Sequence, residues 1–500
     1  MQLVLIGLAL ALLLHDAPEA ASYLTRLDPL PLLAVVLLPK LLIAGLYLAA
    51  CRHTVRQLGK PRGARALLRL HRFSAVLPVF TLASFGLDLW AGALAAVRAA
   101  PPGRITGPRD TVLLDELAVL ALPLLLLAWS WWAYYPIDRR VRDAALIRRA
   151  DTGLPLYPPW TRGQYVLTQA RNHAALVLGP LLILLAWAEC LVKLHAAGLL
   201  SESAQLWLTP AGAGVLFLLA PLIVRRLWDT VPLPPGPVRD RLDELCQLHR
   251  VRVRQLLLWR TYGGSINAAV MGLFGPLRYI LLTDGLLEQV RPREVEAVMA
   301  HELGHVRGKH LGWLLAAAVA AGLVLSAAGQ ALDHHLSPLL APAARPWFHA
   351  LLSAAGLVLW ALAFGWVSRR IERQADTFAA RHLTTHPPKV PPEAPPEVPP
   401  EAPPETPSET LADAADADAR PPRFHPDAVG TMIRALQQVA DLNHIPAHRR
   451  SWRHGSITWR QAHLRSLIDT PLHGPPIDHQ VNLIRVASLA VLFAAALWNI

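Results

Sequence analysis

The chain has 500 residues, 53% of them hydrophobic and 17% charged, with 48 Lys and Arg against 36 Asp and Glu for a formal charge of +12. Ordinary soluble domains carry roughly 25% charged residues, so this composition excludes a single soluble globule and points to a membrane. No nucleic-acid module accompanies the basic charge, which reads as membrane topology and contact with anionic lipid.

Residues 2–14 are apolar but short, with no Lys or Arg before them. They read either as a signal-like segment or as part of a tilted first helix. Longer apolar runs follow at 29–50, 73–98, 112–135, 174–199, 205–227, 311–330, 347–367 and 482–500, each near the ~20 residues that a helix needs to cross a bilayer. A buried core helix accounts for one such run but not for all of them. Between the first two lie Arg52, Arg56, Lys60, Arg62, Arg65, Arg69 and Arg72 with no acidic residue, and the loop 136–173 adds seven arginines against three aspartates. The positive-inside rule makes both loops cytoplasmic. Counting spans then places 228–310 and 368–481 on the cytoplasmic side and 99–111, 200–204 and 331–346 outside. Lys40, Asp88, Asp115, Glu116, Glu189 and Lys193 fall in or at the ends of the spans and are candidates to line an interior cavity. Cys51, Cys190 and Cys246 are scattered, indicate no disulfide framework and read as packing residues.

The polar stretch 228–310 opens on Val231-Pro232-Leu233-Pro234-Pro235, followed by an amphipathic helix near 237–249. Short strands are predicted at 251–259, 265–271 and 277–283, with turns at Gly263-Gly264 and Gly275-Pro276. Pro292 begins a helix that ends near Gly308 and carries His301-Glu302-Leu303-Gly304-His305. Residues four apart share a helical face, so His301 and His305 can offer two imidazoles to one zinc ion, with Glu302 beside them to take a proton from an activated water. A polar helix turn at a membrane surface is the other reading of this pentapeptide. A catalytic zinc ordinarily has a third protein ligand. After two further spans the chain offers Glu372 and Asp376, again four apart, so that Glu372 can bind metal while Asp376 fixes a ligand histidine. An exposed helix with Glu–Arg pairing is the alternative. His310, His334 and His335 read as interfacial residues. Between 386 and 423 Pro and Glu recur, with Glu393, Glu397, Glu401 and Glu405 at four-residue steps. That composition favours a solvated tether, or a docking site for a Pro-binding partner.

The zinc pentapeptide followed by Glu372-x-x-x-Asp376 resembles family 48 of the metallopeptidases, the gluzincin membrane proteases that include the CAAX prenyl endopeptidases and the HtpX proteases. Ile266-Asn267-Ala268-Ala269 is similar to the family's Asn-Ala element on an edge strand, and Leu281-Leu282-Thr283-Asp284-Gly285-Leu286-Leu287 to the strand and turn that lead into the zinc helix. His454-Gly455-Ser456-Ile457-Thr458-Trp459-Arg460 resembles the family's His-Pro-Ser element, with Gly in place of Pro. Several helices before the motif and two after it match the layout of the prenyl-protease branch. The resemblance implies one Zn2+ per chain on His301, His305 and Glu372, with Glu302 as general base. It also implies an extended peptide at the edge strand near Asn267, His454 stabilising the oxyanion and Arg460 holding a substrate carbonyl or carboxylate.

The expected fold is mainly α, a polytopic membrane protein of about eight spans with a small α+β zincin-like catalytic portion at the cytoplasmic face. Its expected segments are a membrane region 1–227 of about five spans, a catalytic segment 228–310, two transmembrane helices in 311–367 and a third-ligand helix 368–385. The Pro/Glu insertion 386–423, the rest of the catalytic portion 424–481 and a last span 482–500 complete the chain. The expected function is a zinc metalloendopeptidase acting on membrane-associated or unfolded proteins, placed in the plasma (inner) membrane if the host is bacterial. A signal-transducing receptor with a protease-like domain, or an inactive scaffold or transporter, are the alternatives.

Overall fold

The computed structural model describes residues 29–90, 114–153, 155–342, 344–387 and 422–498. The 2–14 segment, the 99–111 loop and nearly all of the Pro/Glu insertion lie outside the described residues. The chain divides into two compact units, Met1–Asp229 and Thr230–Ile500.

The first unit is helical. Its elements are α1 (Pro29–Gln57), α2 (Gly63–Trp90), α3 (Leu114–Asp151), α4 (Arg162–Gln169), a π-helical turn (Ala170–Ala175), α5 (Leu176–Ala196) and α6 (Glu202–Leu227). The five longest are apolar enough to cross a bilayer. Leu30, Leu33, Leu38, Leu41, Leu42 and Leu46 of α1 are exposed, a continuous apolar face that a lipid phase covers and water would not. Cys51 packs with Tyr47, Leu70, Leu77 and Ile137, whereas Cys190 is exposed on α5 rather than packed in a core.

Two of the polar residues in these spans bond to each other. Lys40 Nζ lies 2.6 Å from Asp88 Oδ2 and 2.8 Å from Oδ1, and both residues are buried. The lysine also donates to the Val36 carbonyl, so it has three acceptors inside the unit. Lys193 and Glu189 pair along α5 at 3.0 Å. The side chains of Asp115 and Glu116 lie outside the described ones.

The second unit combines a small sheet with helices. In chain order it contains β1 (Thr230–Pro232), α7 (Pro237–Leu248), β2 (Gln255–Trp259), β3 (Ala268–Met271), β4 (Tyr279–Thr283), α8 (Asp284–Gln289), α9 (Pro292–Arg307), α10 (His310–Leu336), α11 (Arg345–Thr385), α12 (Pro426–Leu442), α13 (Ile457–Arg465) and α14 (Pro476–Trp498). The sheet order is β1-β2-β4-β3, with β2 and β4 parallel and the outer pairs antiparallel. β4 is buried along its whole length, as a Tyr-Ile-Leu-Leu-Thr run at the centre of a sheet requires. β3 forms an edge. Leu256, Ile266, Ile280, Leu282, Val295, Met299 and Leu303 make the core between the sheet, α7 and α9. The short strand β1 was read from the sequence only as a Pro-rich lead-in. Pro232 is tolerated because β1 is an outer strand that needs no further hydrogen-bond donor there.

α10, α11 and α14 complete the set of eight span-length apolar helices among the described residues, matching the apolar runs of the sequence one for one. The molecule is an integral, multi-pass membrane protein. α11 has 41 residues and is therefore roughly 60 Å long, about twice the hydrocarbon thickness. Its apolar first half spans, and the same rigid helix continues into the catalytic unit.

Breaking the Lys40–Asp88 pair tests how the first unit is held. Asp88→Leu should cost about 3–5 kcal/mol by leaving a buried ammonium unpaired, and adding Lys40→Met should recover most of that loss. Unfolding in detergent reads both; a double variant as weak as the single would rule out the unpaired charge as the cause.

Candidate active site

α9 begins on Pro292 at its first turn and ends at Gly308. One of its faces, Val295, Met299 and Leu303, belongs to the sheet core. The face turned to α11 is small: Ala297 and Ala300 are fully buried and pack with Ala379 and Ala380. Gly304 is the point of closest approach, where an added Cβ would lie 3.2 Å from Ala375 Cα and from the Phe378 side chain. Two helices that meet through Gly and Ala can stand close enough for short polar side chains to converge.

They converge on one point. His301 Nε2 is 3.2 Å from His305 Nε2 and 3.7 Å from Glu372 Oε2, and His305 Nε2 is 3.8 Å from Glu372 Oε1. Among the described residues, these three form the group able to hold a metal ion. Donors about 2.0–2.1 Å from one tetrahedral ion stand roughly 3.3 Å apart, so the His301–His305 separation fits zinc as it stands and Glu372 needs to close by about half an ångström. The donor set of two imidazoles and a carboxylate also suits zinc and leaves a fourth position free.

Around the ligands lies a ring of fixed partners. His301 Nδ1 is 3.0 Å from Asp376 Oδ1, which puts its hydrogen on Nδ1 and leaves Nε2 to face the ligand cluster. Asp376 is itself clamped by Arg460, whose Nε and Nη2 donate to its two oxygens at 2.8 and 2.5 Å. Arg460 Nη1 also reaches Glu372 Oε2 at 3.4 Å. The sequence assigns this arginine to a substrate carbonyl or carboxylate; the structure buries it and commits its guanidinium to the two carboxylates of α11. Burial opposes the arginine's charge, but Asp376 outweighs it and drives the pKa upward.

Glu302 projects toward the sheet edge, where its Oε2 accepts from the Val270 backbone N–H of β3 at 3.2 Å. Burial pushes its carboxyl up to about 7, and the neighbouring Glu372 charge adds to the rise. Burial lowers His305 well below the usual imidazole value, with the charge of His301 acting in the same direction. Burial also opposes a charged His301, but its bond to Asp376 prevails and the value is raised.

Asn267 is exposed at the start of β3. Its backbone is held by Thr283, whose Oγ1 accepts from the Asn267 N–H at 2.9 Å while the Asn267 carbonyl accepts from the Thr283 N–H at 3.0 Å. His454 is half-exposed, with Nδ1 2.9 Å from Glu372 Oε1. Its loop is tied to α11: Trp452 stacks on Phe364, donates to the Ala361 carbonyl and fills the space that a side chain at Gly365 would occupy. Ser451 and Gly455 then close the turn with two backbone bonds of 3.1 Å.

Gly455 has φ +74°, which explains why it replaces the proline of the family pattern, since proline is locked near about −65°. The sequence reading also missed His310, taken as interfacial. It is buried against His305. Helical spacing could not reveal this contact, because Lys309 between the helices is left-handed, with φ 50°.

Together the fold and this site define a polytopic, mainly helical membrane protein with a metallopeptidase-type centre. Residues 254–390 match Peptidase family M48. A 100-residue stretch is 31% identical to the CAAX prenyl protease 1 homolog of Arabidopsis thaliana, covering 19% of this chain and 23% of that protein, well short of two thirds of its length. The crystal structure of S. mikatae Ste24p superposes with a TM-score of 0.50 at 13% identity, covering 88% of this chain and 99% of that one, a likeness of fold. Residues 254–390 thus resemble the M48 family, and the relative matched in sequence is a CAAX prenyl protease homolog.

Gly455→Pro, which restores the family residue, should destabilise this chain by upward of about 1 kcal/mol and disorder the His454 loop. Thermal unfolding and hydrogen exchange at residues 451–456 check it, and a neutral or stabilising result would mean that the turn does not require a positive φ.

Proposed function

We propose that the chain is an integral-membrane zinc-dependent endopeptidase that hydrolyses peptide bonds of membrane-associated or unfolded proteins at the cytoplasmic face. The observation that carries this reading is the convergence of His301, His305 and Glu372 on one point, with Glu302 between that point and an open sheet edge. Zinc held by these three residues supplies Lewis acidity for a peptide carbonyl and for water.

The chain's own groups do the rest. Glu302, lifted toward neutrality by burial, is suited to accept a proton from the attacking water and to pass it to the departing amine. β3, the edge strand that follows Asn267, can take an extended peptide as a further strand, a mode that favours conformation over sequence. His454, anchored through Trp452, is placed to donate to the developing oxyanion. Arg460 orders Asp376 and Glu372, and in this reading its effect on substrate passes through the ligands it holds. The protein known as CAAX prenyl protease 1 homolog acts, by its name, on prenylated CAAX ends. Such C-terminal peptides are one substrate class for this chain, and unfolded segments are the other.

The basic loops support a cytoplasmic placement of the site and contact with anionic lipid, in the plasma (inner) membrane if the host is bacterial. Arg52, Arg56 and Arg162 line one cleft of about 400 Å³ with Trp132 and apolar walls from Leu48, Val55 and Pro136, a setting suited to an anionic headgroup at the interface. A Pro-binding partner for 386–423 is a further proposal that rests on composition.

Glu302→Gln should keep stoichiometric zinc while cutting turnover of an unstructured reporter peptide by roughly 10²–10⁴-fold, and a chelator should abolish cleavage by the unmodified protein. Zinc bound to both proteins with equal cleavage would remove Glu302 from the reaction. Cleavage that survives removal of the metal would remove zinc from it.

A further inference from the structure

The two histidine ligands are supported differently. His301 has a carboxylate behind it, Asp376, and that carboxylate is locked by Arg460. His305 has another imidazole. His310 Nδ1 is 2.9 Å from His305 Nδ1, and His310 Nε2 is 2.9 Å from Gln374 Oε1. Gln374 Nε2 in turn donates to Asp478 Oδ1 at 2.7 Å, and Arg381 reaches Asp478 Oδ2 at 3.3 Å.

Only one ordering of hydrogens satisfies every link. As a metal ligand His305 would keep its lone pair on Nε2, so its hydrogen sits on Nδ1 and is donated to His310 Nδ1. His310 then carries its own hydrogen on Nε2 and gives it to the Gln374 carbonyl oxygen. The amide of Gln374 is held in that orientation by Asp478, and Arg485 Nη2 approaches the same Gln374 oxygen at 3.5 Å.

Local backbone is arranged for this chain of bonds. A Cβ on Gly308 would fall 2.1 Å from His310 Nε2, so the ring occupies space that glycine alone leaves open. Lys309 adopts φ 50° and ψ 37°, a cost that non-glycine residues seldom bear, and this turn swings His310 back under His305. Arg485 of α14 donates to the Gly308 carbonyl at 2.8 Å and fastens the break. A positive-φ lysine, a glycine gap and a buried histidine bonded to Gln374 at one place are more than interfacial packing requires.

We infer that His310 is a positioning residue for the metal ligand His305, and that the His305–His310–Gln374–Asp478 series makes the last span, α14, part of the zinc centre. This rests on the metal site of the proposed function. It assigns His310 no contact with substrate; its task is to fix the tautomer and ring orientation of His305.

The test uses the full-length protein in detergent, with zinc affinity measured by chelator competition and the Co2+-substituted protein examined by its d–d absorption. His310→Leu removes the acceptor and should weaken zinc binding by roughly 10–100-fold with an altered cobalt spectrum. His310→Asn offers a carbonyl oxygen near the position of Nδ1 and should recover most of the affinity and the original spectrum. Gln374→Leu keeps His310 but frees its tautomer, and should show a smaller loss in the same direction; it carries the test if His310→Leu fails to fold. Zinc affinity within twofold of the unmodified protein for His310→Leu, or for Gln374→Leu in its place, would overturn the inference. So would equal losses in the Leu and Asn variants at 310, which would indicate packing alone. Failure of the unmodified protein to bind zinc would instead sink the proposed function beneath it, and the inference with it.

Discussion

The close approach of α9 to α11 is the constraint on which the site depends. Gly304, inside the zinc pentapeptide, faces the Cα of Ala375 and the ring of Phe378, and Ala297, Ala300, Ala379 and Ala380 extend the small-residue seam. Side chains as short as glutamate and histidine can meet at one ion only if the backbones that carry them stand near each other. The spacing of His301 and His305 sets two donors on a face; the seam brings the third within reach. α11 makes this possible by being one continuous helix, so the orientation of Glu372 is tied to the span from which it rises.

Two buried carboxylates at this seam share one guanidinium. Glu372 and Asp376 are opposed by Arg460, and the imidazole of His301 shares Asp376 with it. A buried carboxylate without such partners would cost several kcal/mol. The bidentate geometry also has a directional effect, since a guanidinium fork bonded to both oxygens of Asp376 holds that carboxylate in one plane. The plane of Asp376 sets the ring of His301. Stability and pre-organisation thus come from the same bonds.

Much of this was legible in the sequence because it depends on periodicity. Eight apolar runs gave eight helices in the right places, since crossing a bilayer leaves no other way to satisfy the backbone. The grouping of His301, His305 and Glu372, with Asp376 against His301, was legible because both pairs obey the i,i+4 rule on helices that persist. What was not legible depends on broken periodicity or on contacts between distant segments. His310 lies beyond a left-handed residue that helical spacing cannot cross. Arg460 looked available to substrate, because nothing local announces that Asp376, 84 residues away, takes up its donors. Gly455 looked like a weakened motif, and the positive φ that demands it is a property of the closed turn that the residue types alone do not announce. β1 was hidden because three residues with a proline carry too little alternation to read as a strand.

X-ray absorption at the zinc edge, on protein purified with one equivalent of zinc and on its Glu372→Ala variant, tests the central claim most directly. The claim predicts a first shell of nitrogen and oxygen at about 2.0–2.1 Å, with imidazole scattering from two histidines, no sulfur, and one oxygen ligand lost or replaced by solvent in the variant. A sulfur-containing shell, or a spectrum and affinity unchanged by Glu372→Ala, would contradict it.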